Sequence, residues 1–191
     1  MSEDTASQAF FEAKYQQAGD PWDFATNAYE QTRYSAILSS LGDRRFRRAF
    51  EPGCSIGVLT ERLAGKCGQV EAIEISSTAA SQAEKRCRLL SNVNVRQGSL
   101  SGDIPSGTFD LILFSEIGYY FQPAGLTSLV TELVRRLDAG GVLLAAHWLG
   151  VSADHQLGGD QVHELLSTIP GLQPTFAQRH SAFRINHWTK L

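Results

Sequence analysis

No two cysteines in the 191-residue chain are spaced C-x-x-C; the three present, Cys54, Cys67 and Cys87, are odd in number and far apart. That usage argues against a disulfide framework, a thiol redox pair or a zinc ribbon, and suits structural thiols in a reducing compartment. Also missing is any apolar run approaching the ~18 residues of a membrane span. The amino terminus shows no basic region followed by an apolar stretch. These absences predict a cytoplasmic protein without a membrane partner. Excess charge of one sign is lacking too, since 17 Lys and Arg stand against 20 Asp and Glu, for a net charge of -3. The densest basic groups, Arg44, Arg45, Arg47 and Arg48, then Lys85, Arg86 and Arg88, are short and read as solvated faces. No nucleic-acid partner is expected. Repeats, low-complexity tracts and interdomain linkers are absent as well.

What the chain has is alternation. Short strand-like runs at 46–51, 69–75, 93–97, 109–114 and 142–148 are interleaved with helical patterns at 78–90, 126–137 and 159–169, the second stopping near Gly140 and Gly141. Such alternation implies parallel strands with helical crossovers. Residues 174–179 and 182–189 are joined too tightly for a crossover helix and should pair antiparallel. The predicted fold is therefore α/β: a Rossmann-like, mostly parallel seven-stranded sheet with a terminal antiparallel hairpin and helices on both faces. The length suits one domain over residues 1–191, with residues 46–191 as the α/β core and residues 1–45 as an amino-terminal helical cover. Within the cover, residues 20–34 carry Trp22, Tyr29 and Tyr34 among polar residues and read as a mobile flap.

The first strand runs into Glu51-Pro52-Gly53-Cys54-Ser55-Ile56-Gly57. Glycines at 53 and 57 let the backbone turn sharply and approach a ligand closely. A dinucleotide fingerprint would require glycine at 55 and 58, where the chain has Ser55 and Val58. A second acid, Glu74, ends the next strand, where a carboxylate can accept both hydroxyls of a ribose. Ser115 and Glu116 end the fourth strand, and His147 and Trp148 end the fifth, all at the carboxyl edge where open α/β sheets bind ligands. Glu116 can orient an amine or take its proton, or simply cap the turn after it. His147 can be a base or a hydrogen-bonded structural histidine. Tyr119, Tyr120, Trp148, Asp154 and His155 can line an acceptor pocket or pack the loops. The spacing of His147, Asp154, His155 and His163 matches no compact metal motif, and no metal is expected.

Glu51, Gly53, Gly57 and Glu74 resemble the E/D-x-G-x-G-x-G loop and following acid of class I S-adenosylmethionine-dependent methyltransferases, with serine at the middle glycine. More specifically, DPWDFATNAYEQTRY at 20–34, EPGCSIG at 51–57, SEIGYYF at 115–121 and HWLGVSADHQLGGDQVH at 147–163 resemble the NodS-like methyltransferases. That family is named for a nodulation enzyme that N-methylates a deacetylated chitooligosaccharide. The resemblance implies S-adenosylmethionine as cofactor, held by Trp22, Arg33, Glu51, Gly53, Gly57, Glu74, Ser99 and Ser115. It implies that Trp22, Tyr29 and Arg33 belong to the cover and that the His147 region faces a small-molecule acceptor, with an amino sugar as the candidate. By their place at the sheet edge, Glu116 and His147 are the candidate catalytic residues and Tyr119, Tyr120, Trp148, Asp154 and His155 the candidate acceptor contacts. Ser99 stands where many class I enzymes carry an adenine-binding acid. A nicotinamide-dependent oxidoreductase and a non-catalytic cofactor-binding protein remain as alternatives on the same sheet. Oligomeric state is not legible.

Overall fold

The computed structural model describes residues 7–191, which divide into two compact units, residues 7–106 and residues 107–191. Residues 1–6 of the expected cover lie outside the described residues. The first unit opens with α1 (Gln8–Ala18) and α2 (Ala28–Ser40), followed by β1 (Phe46–Pro52), α3 (Val58–Leu63), β2 (Cys67–Glu74), α4 (Ser77–Cys87) and β3 (Val93–Gln97). Local chemistry starts these helices. Ser7 accepts from the Phe10 N–H, Asn27 from Tyr29 and Ser76 from Ala79, each satisfying a donor that the first helical turn leaves open. β1 and β3 flank β2 in parallel, with Glu51 opposite Ala72 and Glu74 opposite Gln97. Ala83 on α4 packs with Cys54 and Ala72, so the helix lies close over the turn that follows β1.

The second unit contains β4 (Phe109–Ser115), α5 (Pro123–Arg136), β5 (Leu137–Trp148), α6 (Gly159–Leu166), β6 (Leu172–Arg179) and β7 (Phe183–Lys190). Leu111, Ile112, Leu113 and Phe114 are all fully buried, which accounts for the unbroken apolar run of β4. β4 and β5 are parallel, whereas β7 runs antiparallel to both β5 and β6. Asp160 on α6 pairs with Arg179 and Arg184, tying that helix to the closing hairpin. The strands lie in the order β3-β2-β1 in the first unit and β4-β5-β7-β6 in the second. The fold is the mostly parallel, mixed seven-stranded α/β arrangement that the alternation implies.

Several boundaries differ from expectation. α5 ends at Arg136 and β5 begins at once at Leu137, so Gly140 and Gly141 lie inside the strand rather than at a helix stop. Pairing jumps from Phe109 opposite Leu137 to Leu111 opposite Val142. The intervening residues form a bulge, which needs the torsional latitude of glycine. α1 and α2 both fall within residues 1–45, the segment expected to be helical, although the apolar residues of α1 do not gather into one wide stripe. In β6, Pro174 sits beside a register shift on the edge strand, where a missing donor costs least.

Candidate active site

In the first unit, chemistry gathers around the turn from Gly53 to Gly57. Gly53, Ser55 and Gly57 all have φ in the left-handed region, at 70°, 52° and 79°. A side chain at Gly57 would bring its Cβ to 3.0 Å from the backbone of Ala83, so the turn requires glycine there for torsion and for space. Ser55 tolerates the same region because it is held at both ends. Its N–H donates to Glu74 Oε2 at 2.8 Å, and its Oγ accepts from the Tyr15 hydroxyl at 2.6 Å. The serine at the middle glycine position is thus a tie between this turn and α1.

Glu74 is buried, and its other oxygen, Oε1, accepts from Ser76 N–H at 3.0 Å. Burial raises its pKa, opposed by the Ser76 and Ser55 amides. A carboxylate oxygen can accept more than one hydrogen bond, so the group is aimed by these amides and keeps acceptor capacity. Glu51 is only 4 % exposed, and its Oε2 has no hydrogen-bond partner among the described residues. Burial, opposed by the nearby Thr60 hydroxyl and reinforced by the charge of Glu74, pushes the Glu51 carboxyl up to about 7.

The remaining first-unit candidates are placed less directly. Trp22 stacks on Phe24 and meets Tyr15 edge-on, with ring centroids 5.6 and 5.5 Å apart. Arg33 is buried in an ion pair with Glu30, its guanidinium lying over the rings of Tyr29 and Tyr34. The Ser99 hydroxyl is engaged in its own turn with Ser101, while Ser99 N–H donates to Asp103. Nothing local marks two further participants, Glu12 and Tyr15 of α1. Glu12 accepts from Ser76 Oγ at 2.7 Å and from the Thr78 hydroxyl and amide at 2.6 and 3.2 Å, contacts made across more than sixty residues of sequence.

In the second unit, Ser115 closes β4 opposite Ala146, and the chain turns through Glu116 to a 3-10 turn at Gly118–Tyr120. Glu116 has φ 60°, a conformation a non-glycine residue keeps only when its surroundings hold it. Its Oε1 accepts from Trp148 N–H at 2.7 Å and its Oε2 from the Tyr119 hydroxyl at 2.8 Å. His147, expected to face the acceptor, is 0 % exposed. Its Nε2 accepts from Gly118 N–H at 3.1 Å, which leaves Nδ1 to donate to His163 Nε2 at 3.1 Å; His163 Nδ1 then donates to Asn186 Oδ1 at 2.7 Å. The amide of Gly118 fixes both tautomers. Burial drives the His163 pKa down to about 3, so its ring is neutral. His147 therefore has no ring nitrogen left for an acceptor, and its geometry is that of a brace for the 116–120 turn. A Cβ at Gly118 would sit 2.9 Å from His147 Nε2 and 2.6 Å from Val162, which explains the glycine.

Tyr119, Tyr120, Trp148 and His155 do come together. The His155 ring stacks on Tyr119 with centroids 3.7 Å apart and an interplanar angle of 16°, and meets Tyr120 and Trp148 edge-on at 5.1 and 6.2 Å. The carbonyl of Tyr119 accepts from Gln156 and Leu157 N–H, pinning the 149–158 loop against the turn. Asp154 and Glu116 both act electrostatically on His155.

Residues 5–167 match the family profile described as Nodulation protein S (NodS). The chain belongs to the NodS family. It is 32% identical over 126 residues to Nodulation protein S of Sinorhizobium fredii and 30% identical over 129 residues to that of Rhizobium tropici. Those alignments cover 65% and 66% of this chain but 58% and 54% of the relatives, so the chain spans little more than half the length of these NodS proteins. Among solved structures, N-methyltransferase NodS from Bradyrhizobium japonicum WM9, in complex with S-adenosyl-L-homocysteine, superposes with a TM-score of 0.84 at 21% identity, covering 97% of this chain and 99% of that one. A putative methyltransferase from Pseudomonas syringae superposes at 0.75 with 29% identity, over 86% of this chain and 100% of that one. The fold is that of the class I methyltransferases.

Proposed function

We propose that the chain is an S-adenosylmethionine-dependent methyltransferase that methylates an amine on a small molecule, with an amino sugar or deacetylated oligosaccharide as the acceptor class. The observation that carries this reading is the pair of buried carboxyls beside the left-handed turn: Glu74, aimed by backbone amides with acceptor capacity to spare, and Glu51, with an orphaned oxygen. The residues fit the cofactor. Glu74 takes the ribose hydroxyls, Gly53 and Gly57 let the turn approach it, and Glu51 meets its cationic amino-acid end, where a neighbouring positive charge would offset the burial of a carboxylate. Trp22, Arg33, Ser99 and Ser115 remain candidate contacts, and residues up to 45 a candidate cover.

When bound, S-adenosylmethionine supplies an electrophilic methyl group on a positively charged sulfur. Transfer to a neutral amine disperses that charge, so alignment and the exclusion of water matter more than acid-base power. On the acceptor side, the rings of Tyr119, Tyr120 and Trp148 can lie against a sugar face, with Asp154 and Glu116 attracting a cationic amine. Membership of the NodS family and the fold of a NodS N-methyltransferase support this assignment. Three buried cysteines outside any disulfide support a cytoplasmic setting. No described helix is long and apolar enough to cross a membrane.

The test is calorimetric binding of S-adenosylhomocysteine to the wild type and to Glu74→Ala, followed by methyl transfer to chitooligosaccharides with free or acetylated amines. Glu74→Ala should weaken binding by about 1.5 to 3 kcal/mol, the range for a hydrogen bond to a charged group. Equal affinity in a folded variant rejects the ribose assignment, and transfer to hydroxyl acceptors alone rejects the amine.

A further inference from the structure

We propose that His155 is the catalytic residue that takes the proton from the acceptor amine, in place of Glu116 and His147. The step rests on the amine reading above, and the geometry of the second unit selects the residue. Glu116 holds Trp148 N–H on one oxygen and the Tyr119 hydroxyl on the other, and a carboxylate lies intrinsically further from an ammonium in basicity than an imidazole does. His147 spends its two nitrogens on Gly118 and His163, and both of those histidines are completely enclosed. His155 differs in each respect. It is half-buried, its Nδ1 is buried without a partner, and its ring makes no other hydrogen bond among the described residues.

An unpaired buried nitrogen is costly, and His147 and His163 avoid it. His180 has one too, at Nε2, but it stacks on Phe183 in the closing hairpin, whereas His155 sits among Tyr119, Tyr120 and Trp148 with two carboxylates acting on it. The ring is nevertheless fixed in place. Tyr119 lies flat against it, Tyr120 and Trp148 meet its face or edge, and the following amides of Gln156 and Leu157 are anchored on the Tyr119 carbonyl. The titratable groups around it are Glu116 and Tyr119 and Tyr120 from the 116–120 turn, and Asp154 from its own loop. Burial lowers the proton affinity of the imidazole while the two carboxylates raise it. At neutral pH the ring is thus unprotonated, with negative charge at hand to stabilise the imidazolium. Imidazole also lies nearer an ammonium in basicity than a carboxylate does, which favours it over Asp154 as the base.

The chemistry balances. An acceptor arriving as R–NH3+ passes one proton to Nε2 of His155, the nitrogen that is not enclosed. The freed lone pair forms the new N–C bond to the methyl carbon as the C–S bond breaks, and that electron pair stays on sulfur. The products are a methylated ammonium and a neutral thioether, and the imidazolium returns its proton to solvent.

His155→Phe keeps a stacking ring and deletes the nitrogens. With S-adenosylmethionine and a fully deacetylated chitotetraose, the variant should lose about 100-fold in kcat near pH 6.5 with KM changed less than about threefold, and recover towards pH 9, where the amine sheds its proton unaided. Added imidazole should restore part of the loss near pH 6.5. In a spectrum of 15N-histidine-labelled wild type, glucosamine should shift one imidazole resonance that is missing from His155→Phe, and N-acetylglucosamine should not. An unchanged kcat and pH profile in the variant overturns this step while leaving the amine reading intact, as does a loss that is independent of pH and indifferent to imidazole. Wild-type transfer only to hydroxyl acceptors overturns the amine reading and this step together.

Discussion

At the scale of single residues, the site is organised by which lone pairs are already spoken for. Glu74 ends β2 and Glu116 follows β4, and both accept two hydrogen bonds, yet they differ in donor. Glu74 receives backbone amides of the turns around it, while Glu116 receives an amide and a tyrosine hydroxyl that lock it at a positive φ. Glu51 is the opposite case, a buried carboxyl with an open oxygen and a pKa pushed up to about 7 from the ordinary 4.5. A raised folded-state pKa means the folded protein holds the proton more tightly, so this contribution to stability is full below the unfolded pKa and is lost as pH rises through about 7. Glu51→Gln should abolish that part of the decline between about pH 5 and 8, a difference on the order of 3 kcal/mol. Urea titrations of the ligand-free protein across this range measure it. Parallel stability curves for variant and wild type would show that Glu51 ionises normally.

Among the elements, α1 is the one whose partners no local pattern in the sequence marks. Its docking depends on Glu12 reaching Ser76 and Thr78, Tyr15 reaching Ser55, and Gln82 reaching the carbonyl of Gly19 where the helix ends. The hydrogen bonds from Thr78 and Ser76 hold the Glu12 carboxyl down at about 2. A depressed carboxylate stabilises the fold above its unfolded pKa, and that contribution fades as pH falls from about 4.5 towards 2. Glu12→Ala should therefore raise hydrogen exchange across residues 8–18 several-fold near neutral pH, with strands β1 and β2 unaffected. Uniform exchange in the two proteins would mean that α1 is held by its aromatic contacts alone. The same measurement bears on residues 20–34: as a cover they should exchange more slowly once S-adenosylhomocysteine is added.

For the whole molecule, the proposed cofactor can be tested through its effect on unfolding. Ligand that binds only the folded chain stabilises it by mass action. S-adenosylhomocysteine at about 100 times its Kd should add about 2.7 kcal/mol to the unfolding free energy, whereas NAD should add nothing. Thermal denaturation with each nucleotide checks this, and equal stabilisation by NAD would reopen the oxidoreductase alternative. That discrimination was legible early, since Ser55 and Val58 occupy positions where a pyrophosphate loop needs glycine.

The sequence alone determined the alternation of strands and helices, the turn after Glu51, the acid at the end of β2 and the aromatic, acidic and histidine residues after β4 and β5. Each of these is written in a local period or a short spacing, and the burial of β4 and the parallel pairing of Glu51 and Glu74 with their neighbours follow that pattern. Only the tertiary structure decided which of those side chains still have a free atom. Tyr15 meets Ser55 across 40 positions, Glu12 meets Ser76 across 64, and His147 meets His163 across 16 before Asn186 closes the chain. No local pattern encodes such pairings, because a hydrogen bond depends on where two distant backbones place a donor and an acceptor. For that reason His147, a base candidate in the sequence, and His155, read there as a pocket residue, separate in the fold into an enclosed brace and a ring whose nitrogens remain unpaired among the described residues.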